Sequence, residues 1–325
     1  MKQYDVVALG ELLIDFTQNG LSPQGNPLFE ANPGGAPCNV LAILTGLGDR
    51  TAFIGKVGND GFGHQLKQAL AEVGIGTEGL CMDDAVHTTL AIVQTKADGD
   101  RDFSFYRKPG ADMMLTEKEV RPELLSDCRI FHFGSLSMTD EGVRAATKHA
   151  VQVAKEAGAL ISFDPNLRPP LWDSLDAAKE QIAYGMKQCQ ILKISDDEIT
   201  WFTGETDYEK AARRLQSEYD IPLVFVSLGS KGSQAYCGET AVTVEPFLQE
   251  GTIETTGAGD TFMGCMLHQI LKKGTLDLTK EDLREMLVFA NAAASIITTR
   301  KGALRVMPEG SEINRLIAEM ERKSL

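Results

Sequence analysis

Leu160-Ile-Ser-Phe163, Ile191-Leu-Lys-Ile194 and Leu223-Val-Phe-Val226 are three short runs, separated by the amphipathic stretches Ala177–Lys187 and Glu209–Tyr219. Apolar residues stand at successive positions in these runs, the pattern of strands buried on both faces of a parallel sheet. The rhythm extends outward to further runs at Val6–Leu9, Thr51–Ile54 and Ile130–Phe133, with helix-like stretches at Phe62–Val73 and Glu141–Glu156. Strands alternating with helices predict an α/β layered fold, with helices on both faces of the sheet. Two more helices are expected at Lys280–Ile297 and Ser311–Lys323, separated by Arg300-Lys-Gly-Ala and Pro308.

One region breaks the rhythm. Thr88–Lys96 leads through Ala97-Asp-Gly-Asp100 into Arg101-Asp-Phe-Ser-Phe-Tyr-Arg107, two β-rich runs joined by Asp98-Gly99. That is an antiparallel hairpin signal, with Phe103 and Phe105 on one face. Glu11–Phe16 and the stretch near Leu28–Ala31 supply further candidate strands. Such a sheet beside a parallel-sheet domain is either a lid or an ordinary surface hairpin. The apolar pair Phe103 and Phe105 needs covering, which makes a homodimer through the lid the expectation.

The chain of 325 residues has room for a substantial core, and its 46 acids against 32 Lys and Arg give a net charge of −14. A main partnership with nucleic acid, which requires a basic face, is thereby disfavoured. Cys38, Cys81, Cys128, Cys189, Cys237 and Cys265 are scattered, with no CxxC and no nearby paired His. Neither a disulfide scaffold nor a zinc site is expected. The first sixteen residues, MKQYDVVALGELLIDF, carry acids inside an apolar stretch and do not read as a signal peptide. No run approaches the ~20 apolar residues of a membrane span, and a reducing cytoplasm is the expected setting.

Five segments carry candidate chemistry. In Glu254-Thr-Thr-Gly-Ala-Gly-Asp-Thr-Phe-Met-Gly264, small residues precede Asp260 at the start of an apolar helix running to about Lys273. Small residues let a ligand approach the backbone, and the unpartnered N–H groups of a first helical turn make an anion site. Asp260 is then either a base accepting a proton from an attacking hydroxyl, or a plain N-cap. Asn32-Pro-Gly-Gly-Ala-Pro-Cys-Asn39 also precedes an apolar helix, and Asn39 has the donor and acceptor that suit a polyol hydroxyl; the other reading is a loop with a buried Asn. Ser227-Leu-Gly-Ser-Lys-Gly-Ser233 follows a strand and reads as a nucleotide loop or a hairpin turn; it lacks P-loop spacing, and no GxGxxG follows a strand. Leu192-Lys-Ile-Ser-Asp-Asp-Glu198 offers an acid that holds Mg²⁺ through water, or a capping box of Ser195 and Glu198; the two are compatible. Asp164-Pro-Asn-Leu-Arg168 follows a parallel strand, where α/β proteins bind ligands.

Together these segments resemble the ribokinase-like carbohydrate kinases, the phosphofructokinase-B family, in the right order over essentially the whole chain. Gly34-Gly35-x-Pro37-x-Asn39, with Gly48 and Gly58 beyond it, is similar to the family's N-terminal signature, and Thr256-Gly-Ala-Gly-Asp260 to its C-terminal one. The resemblance implies a single three-layer α/β/α kinase domain spanning 1–325, with a small antiparallel β lid formed from about 11–33 and 88–107. It implies ATP-dependent phosphorylation of a primary alcohol of a sugar. Asp260 would be the base, with Gly257, Ala258 and Gly259 as the anion hole. Asp15, Gly34, Gly35 and Asn39 match sugar-binding positions, joined by Arg107 and Arg168. Lys193, Ser195, Ser227, Gly229, Gly232 and Asn291 would serve ATP, and Glu198 would organise Mg²⁺ through water. Glu254, Thr256, Arg300 and Gly302 match a loop for a monovalent cation such as K⁺, the latter two through carbonyls.

Within the family, Gly10-Glu-Leu-Leu-Ile-Asp15, Phe103–Arg107 and Asp-x-Asn-x-Arg-x-x-Leu-Trp at 164–172 most resemble bacterial fructokinases. The expected reaction is transfer of the γ-phosphoryl group of ATP to the 6-hydroxyl of fructose. The same features resemble 2-keto-3-deoxygluconate kinases, in which arginines near Arg107 and Arg168 meet a carboxylate. A non-catalytic sugar-binding regulator on the same scaffold is the rival from another class, opposed by the intact Gly-Ala-Gly-Asp260. A nicotinamide-dependent oxidoreductase lacks its fingerprint here. Five positions depart from the family pattern: Leu41 and Cys265 as packing changes, Ser195 for Asn, Glu254 for Asp, and Val306 where Ser is frequent.

Overall fold

The computed structural model describes residues 2–95 and 101–323. The strands are β1 Tyr4–Leu9, β2 Leu13–Leu21, β3 Pro27–Gly34, β4 Thr51–Gly58, β5 Gly76–Asp83, β6 Leu90–Thr95, β7 Arg101–Tyr106, β8 Cys128–Gly134, β9 Leu160–Asp164, β10 Ile191–Ser195, β11 Leu223–Ser227, β12 Ser233–Cys237 and β13 Thr240–Val244. The helices are α1 Ala36–Gly46, α2 Gly61–Val73, α3 Pro122–Ser126, α4 Glu141–Glu156, α5 Leu175–Gln188, α6 Asp196–Thr203, α7 Tyr208–Tyr219, α8 Ala258–Lys273, α9 Lys280–Ile297 and α10 Gly310–Lys323.

Nine strands form the main sheet in the order β13-β12-β11-β10-β9-β8-β1-β4-β5. Pairing is parallel from β11 through to β5 and antiparallel among β11, β12 and β13. Side chains alternate between two cores, one on each face. Val6 and Ala8, with Leu223 and Phe225, pack on the side of α1, α8 and α9. Val7 and Leu9, with Val224 and Val226, pack on the side of α4 and α7. Burial on both faces is why these strands read as continuous apolar runs. The three-layer α/β/α reading holds.

The second sheet has four strands in the order β3-β2-β6-β7. It is the β lid, made of two antiparallel pairs, β2 with β3 and β6 with β7. Where the pairs meet, β2 runs parallel to β6, because the chain passes through β4, α2 and β5 between them and returns in the same direction. The Asp98-Gly99 turn lies outside the described residues.

Two helices aim their N-termini at the carboxyl edge of the main sheet. Gly35, the N-cap of α1, has φ 124°, and Gly257, the N-cap of α8, has φ 76°. Both values favour glycine. Gly264 lets α8 press against α1: a Cβ there would collide with Ile43 and sit 2.8 Å from the carbonyl oxygen of Val40. That close approach brings Asn39 and Asp260 together.

Candidate active site

Helix α8 begins at Ala258, so Asp260 is its third residue and not its N-cap; the cap is Gly257, which has no side chain to offer. The plain N-cap reading of Asp260 is therefore excluded. Its carboxylate lies at the floor of a cleft of about 310 Å³ under the lid. Asn39 Nδ2 donates to Asp260 Oδ2 at 2.8 Å. Burial raises the pKa of Asp260, while the Asn39 hydrogen bond and the charges of Lys193 and Arg168 act the other way.

The lid supplies the opposite wall. Leu13, Asp15 and Thr17, alternate residues of β2, line the cleft, as period-two geometry requires. Asp15 pairs in register with Asn32 on one side and Ala91 on the other, and Ala91 pairs with Phe105. Asn32 and Phe105 line the same cleft, so one cross-strand row faces the site. Phe105 thus points inward, which corrects the expectation that it helps form an outer dimer surface; Phe103 has no described side chain. Burial pushes the Asp15 carboxyl up to about 7, against the pull of Arg168 and with repulsion from Asp260 and Glu254.

Gly34 and Gly35 close the lid strand onto α1. A Cβ on Gly34 would overlap Asp15 Oδ2, and one on Gly35 would overlap the carbonyl oxygen of Glu11. Glu11, which the sequence reading did not single out, accepts from the backbone N–H of Ala36 at 2.8 Å and does the capping that Gly35 cannot. Its one signal was an acid inside an apolar stretch. Asn166 was likewise missed as a lining residue; it stands at φ 44° just beyond β9.

Arg168 lines the cleft, its Nη1 donating to the Leu167 carbonyl at 3.2 Å. Arg107 does not. Its guanidinium is buried, donating to Asp112 Oδ2 at 2.7 Å, Thr139 Oγ1 at 2.9 Å and the Leu136 carbonyl at 3.0 Å. The expectation that Arg107 binds substrate is corrected here. A desolvated guanidinium needs partners, and Asp112 is the nearest acid to supply one. The pair of arginines that would clamp a keto-acid carboxylate is not assembled.

Lys193 is buried beside the start of α8, its Nζ 2.9 Å from Asp164 Oδ2. Burial works to lower the Lys193 pKa, but Asp164 and Glu198 outweigh it and hold it up. Asp164 is pushed up to about 6 by burial, with Lys193 opposing. Ser195 and Glu198 form the capping box: Glu198 Oε2 accepts from Ser195 N and Oγ at 2.9 Å, and Oε1 from Leu167 N at 2.7 Å. With both oxygens so held, Glu198 suits contact with a cation through water better than direct ligation.

Beyond Thr255 and Gly259 the cleft continues into a second cavity of about 270 Å³. Ser227, which ends β11, and Gly229 and Gly232, in the turn into antiparallel β12, line it with Phe247, Phe262 and Asn291. The amide of Asn291 is engaged by Ser233 Oγ and by the carbonyls of Val244 and Glu245. Asn291 shapes this wall and does not present a free polar group. Glu254, Thr256 and Gly302 line the first cavity, with Glu254 Oε1 accepting from Gly302 N at 2.9 Å. The Arg300 guanidinium turns away to Glu312 and the Val306 and Met307 carbonyls. No group of three His, Cys, Asp or Glu suited to a metal occurs among the described residues.

Fold and site together define a phosphotransferase that acts on a sugar hydroxyl. The profile of the pfkB family carbohydrate kinases matches residues 3–309, and the chain belongs to that family. It is 42% identical to fructokinase-2 of Solanum habrochaites over 309 residues, 94% of each chain. The fold superposes with a TM-score of 0.89 on a Xylella fastidiosa fructokinase solved with bound ATP, at 31% identity over 98% of this chain and 99% of that one. A Vibrio cholerae fructokinase double mutant, solved with fructose, ADP and potassium, gives 0.86 at 27% identity over 98% and 99%.

Proposed function

We propose that this protein is a fructokinase, transferring the γ-phosphoryl group of ATP to the 6-hydroxyl of fructose. One observation carries the reading: Asp260 sits in the first turn of α8, held by Asn39, where it lines the cleft beneath the lid. The 42% identity to a plant fructokinase and the fructose-bound and ATP-bound neighbours support the substrates.

The sugar lies in the cavity under the lid, its hydroxyls meeting Asp15, Asn32 and Arg168. ATP lies along the second cavity, with its phosphates toward Gly257–Gly259 and Lys193. Asp260 takes the proton from the 6-hydroxyl as that oxygen attacks phosphorus. The backbone N–H groups of Gly257 and Gly259 and the Lys193 ammonium hold charge on the transferring group, the Ala258 N–H being given to the Thr255 carbonyl instead. Mg²⁺, carried on the nucleotide, would supply charge neutralisation, and Glu198 would hold it through water. Glu254 and Thr256, with the carbonyls of Arg300 and Gly302, would be the oxygens to hold K⁺, the first, second and last of them lining the first cavity. Lid closure excludes water and prevents idle hydrolysis of ATP.

The lid carries exposed Leu21, Leu28, Phe29 and Tyr106, and these are the residues on which a homodimer through the lid now rests. A cytoplasmic setting is supported by six unpaired cysteines. Among the described residues no helix is long and apolar enough to cross a membrane.

The test is ADP release with Mg-ATP against fructose, 2-keto-3-deoxygluconate and a no-sugar control. Turnover on fructose is expected. Turnover on the keto-acid alone would replace the substrate assignment.

A further inference from the structure

Beside Asp260 a small cavity of about 10 Å³, the room of a single water, adjoins the cleft and shares Glu11, Asn166 and Asp260 with it. Glu11, His132, Ser135, Asp164, Asn166 and Asp260 are among the residues that line it. Ser135 is fully buried, and its hydroxyl has no hydrogen-bond partner among the described residues. A buried unpaired hydroxyl beside carboxylates marks a hydration site. We propose that this cavity holds one ordered water, anchored by Ser135, which passes the proton taken by Asp260 on to Glu11.

This rests on the reading of Asp260 as the base. The step balances. As the sugar oxygen bonds to the γ-phosphorus and the bond to the ADP oxygen breaks, the hydroxyl proton goes to the Asp260 carboxylate. Asp260 gives that proton to the water, and the water gives one of its own to the Glu11 carboxylate. Asp260 ends ionised, Glu11 neutral and the water unchanged. The base is thus reset while the lid is shut and bulk water excluded.

The other lining groups are poorer acceptors. His132 shares its Nδ1 with Ser162 Oγ at 2.9 Å, and burial with the Lys193 charge lowers its pKa to about 3. Asp164 is paired with Lys193. Glu11 is 4% exposed. Burial pushes its carboxyl up to about 7, against the Ala36 hydrogen bond and Arg107, with Asp112 adding to the rise. It can therefore accept a proton near neutrality.

Glu11→Gln separates this role from the capping of α1, because glutamine still accepts from Ala36 but does not take up a proton. The expected result is kcat lower by about tenfold to a hundredfold, the scale on which a lost proton partner is felt, with KM for the sugar unchanged. Ser135→Ala is expected to lower kcat as well, without raising Tm. Wild-type kcat in Glu11→Gln would overturn the relay. So would a higher Tm with full activity in Ser135→Ala, since that is the outcome of deleting a hydroxyl from a dry cavity. If wild-type protein turned over no sugar, or Asp260→Asn kept its rate, the kinase reading would fail first, which separates the two failures.

Discussion

The side-chain amide of Asn39, in α1, donates to Asp260, in α8, across 2.8 Å and a sequence separation of 221 residues. Two glycine-capped helices from opposite ends of the chain thus meet at one carboxylate. The contact orients Asp260 and offsets part of the burial that raises its pKa. Removing it has two consequences: a looser base, and one that protonates more readily.

Asn39→Ala is therefore expected to lower kcat by about tenfold, the loss of one orienting hydrogen bond to a charged group. A base works only when ionised, so activity falls as pH drops through its pKa. With the Asn39 bond gone that pKa rises, and the acid limb of the kcat/KM profile moves to higher pH. A pH–rate profile of the variant checks both the size and the direction.

Neighbouring glycines should fail differently. Gly34→Ala pushes into the flexible carboxylate of Asp15, so KM for the sugar should rise while stability changes little. Gly35→Ala meets the rigid backbone of Glu11 from a φ of 124°, and should cost about 1–3 kcal/mol of stability through strain. Denaturant unfolding together with KM measurements distinguishes them.

Glu11 and Asp15 both have pKa values raised to about 7 in the folded chain. A carboxyl raised on folding contributes stability below its unfolded pKa and loses it as pH rises through the folded value. The free protein should accordingly lose stability from these two groups as pH rises to about 7, from about 3.8 for Asp15 and about 4.5 for Glu11. Glu11→Gln and Asp15→Asn are expected to raise Tm at pH 8 relative to wild type and to leave it nearly unchanged near pH 4. Thermal melts across that range make the comparison.

Lys193→Met strands Asp164 as a buried carboxylate without its cation. Breaking such a pair typically costs about 3–5 kcal/mol. The penalty should shrink in acid, where Asp164 becomes protonated. Urea unfolding at pH 5 and pH 8 reads the difference.

What the sequence disclosed was what local chemistry governs. The alternation of apolar runs and amphipathic stretches placed the central strands within a few residues, since burial on both faces leaves a continuous apolar signature. The turns at Gly34-Gly35 and Gly257–Asp260 were legible because only small residues fit there. The start of α8 was not: Gly257 caps it, so Asp260 lies inside the first turn. Strands β5 and β13 escaped notice because they are the edges of the sheet, where partial exposure breaks the apolar run. Arg107 and Glu11 show the other limit. The partners that withdraw Arg107 from the site, Asp112, Thr139 and Leu136, and the helix that employs Glu11 are brought up by tertiary packing. No local pattern announces them.

The central claim is that Asp260 is the base. The most direct measurement is kcat of Asp260→Asn on fructose with Mg-ATP, made on protein whose melting curve shows it folded. A fall of about 10²- to 10⁴-fold with KM for fructose little changed is predicted, the weight that general-base catalysis carries. A rate near wild type would contradict it.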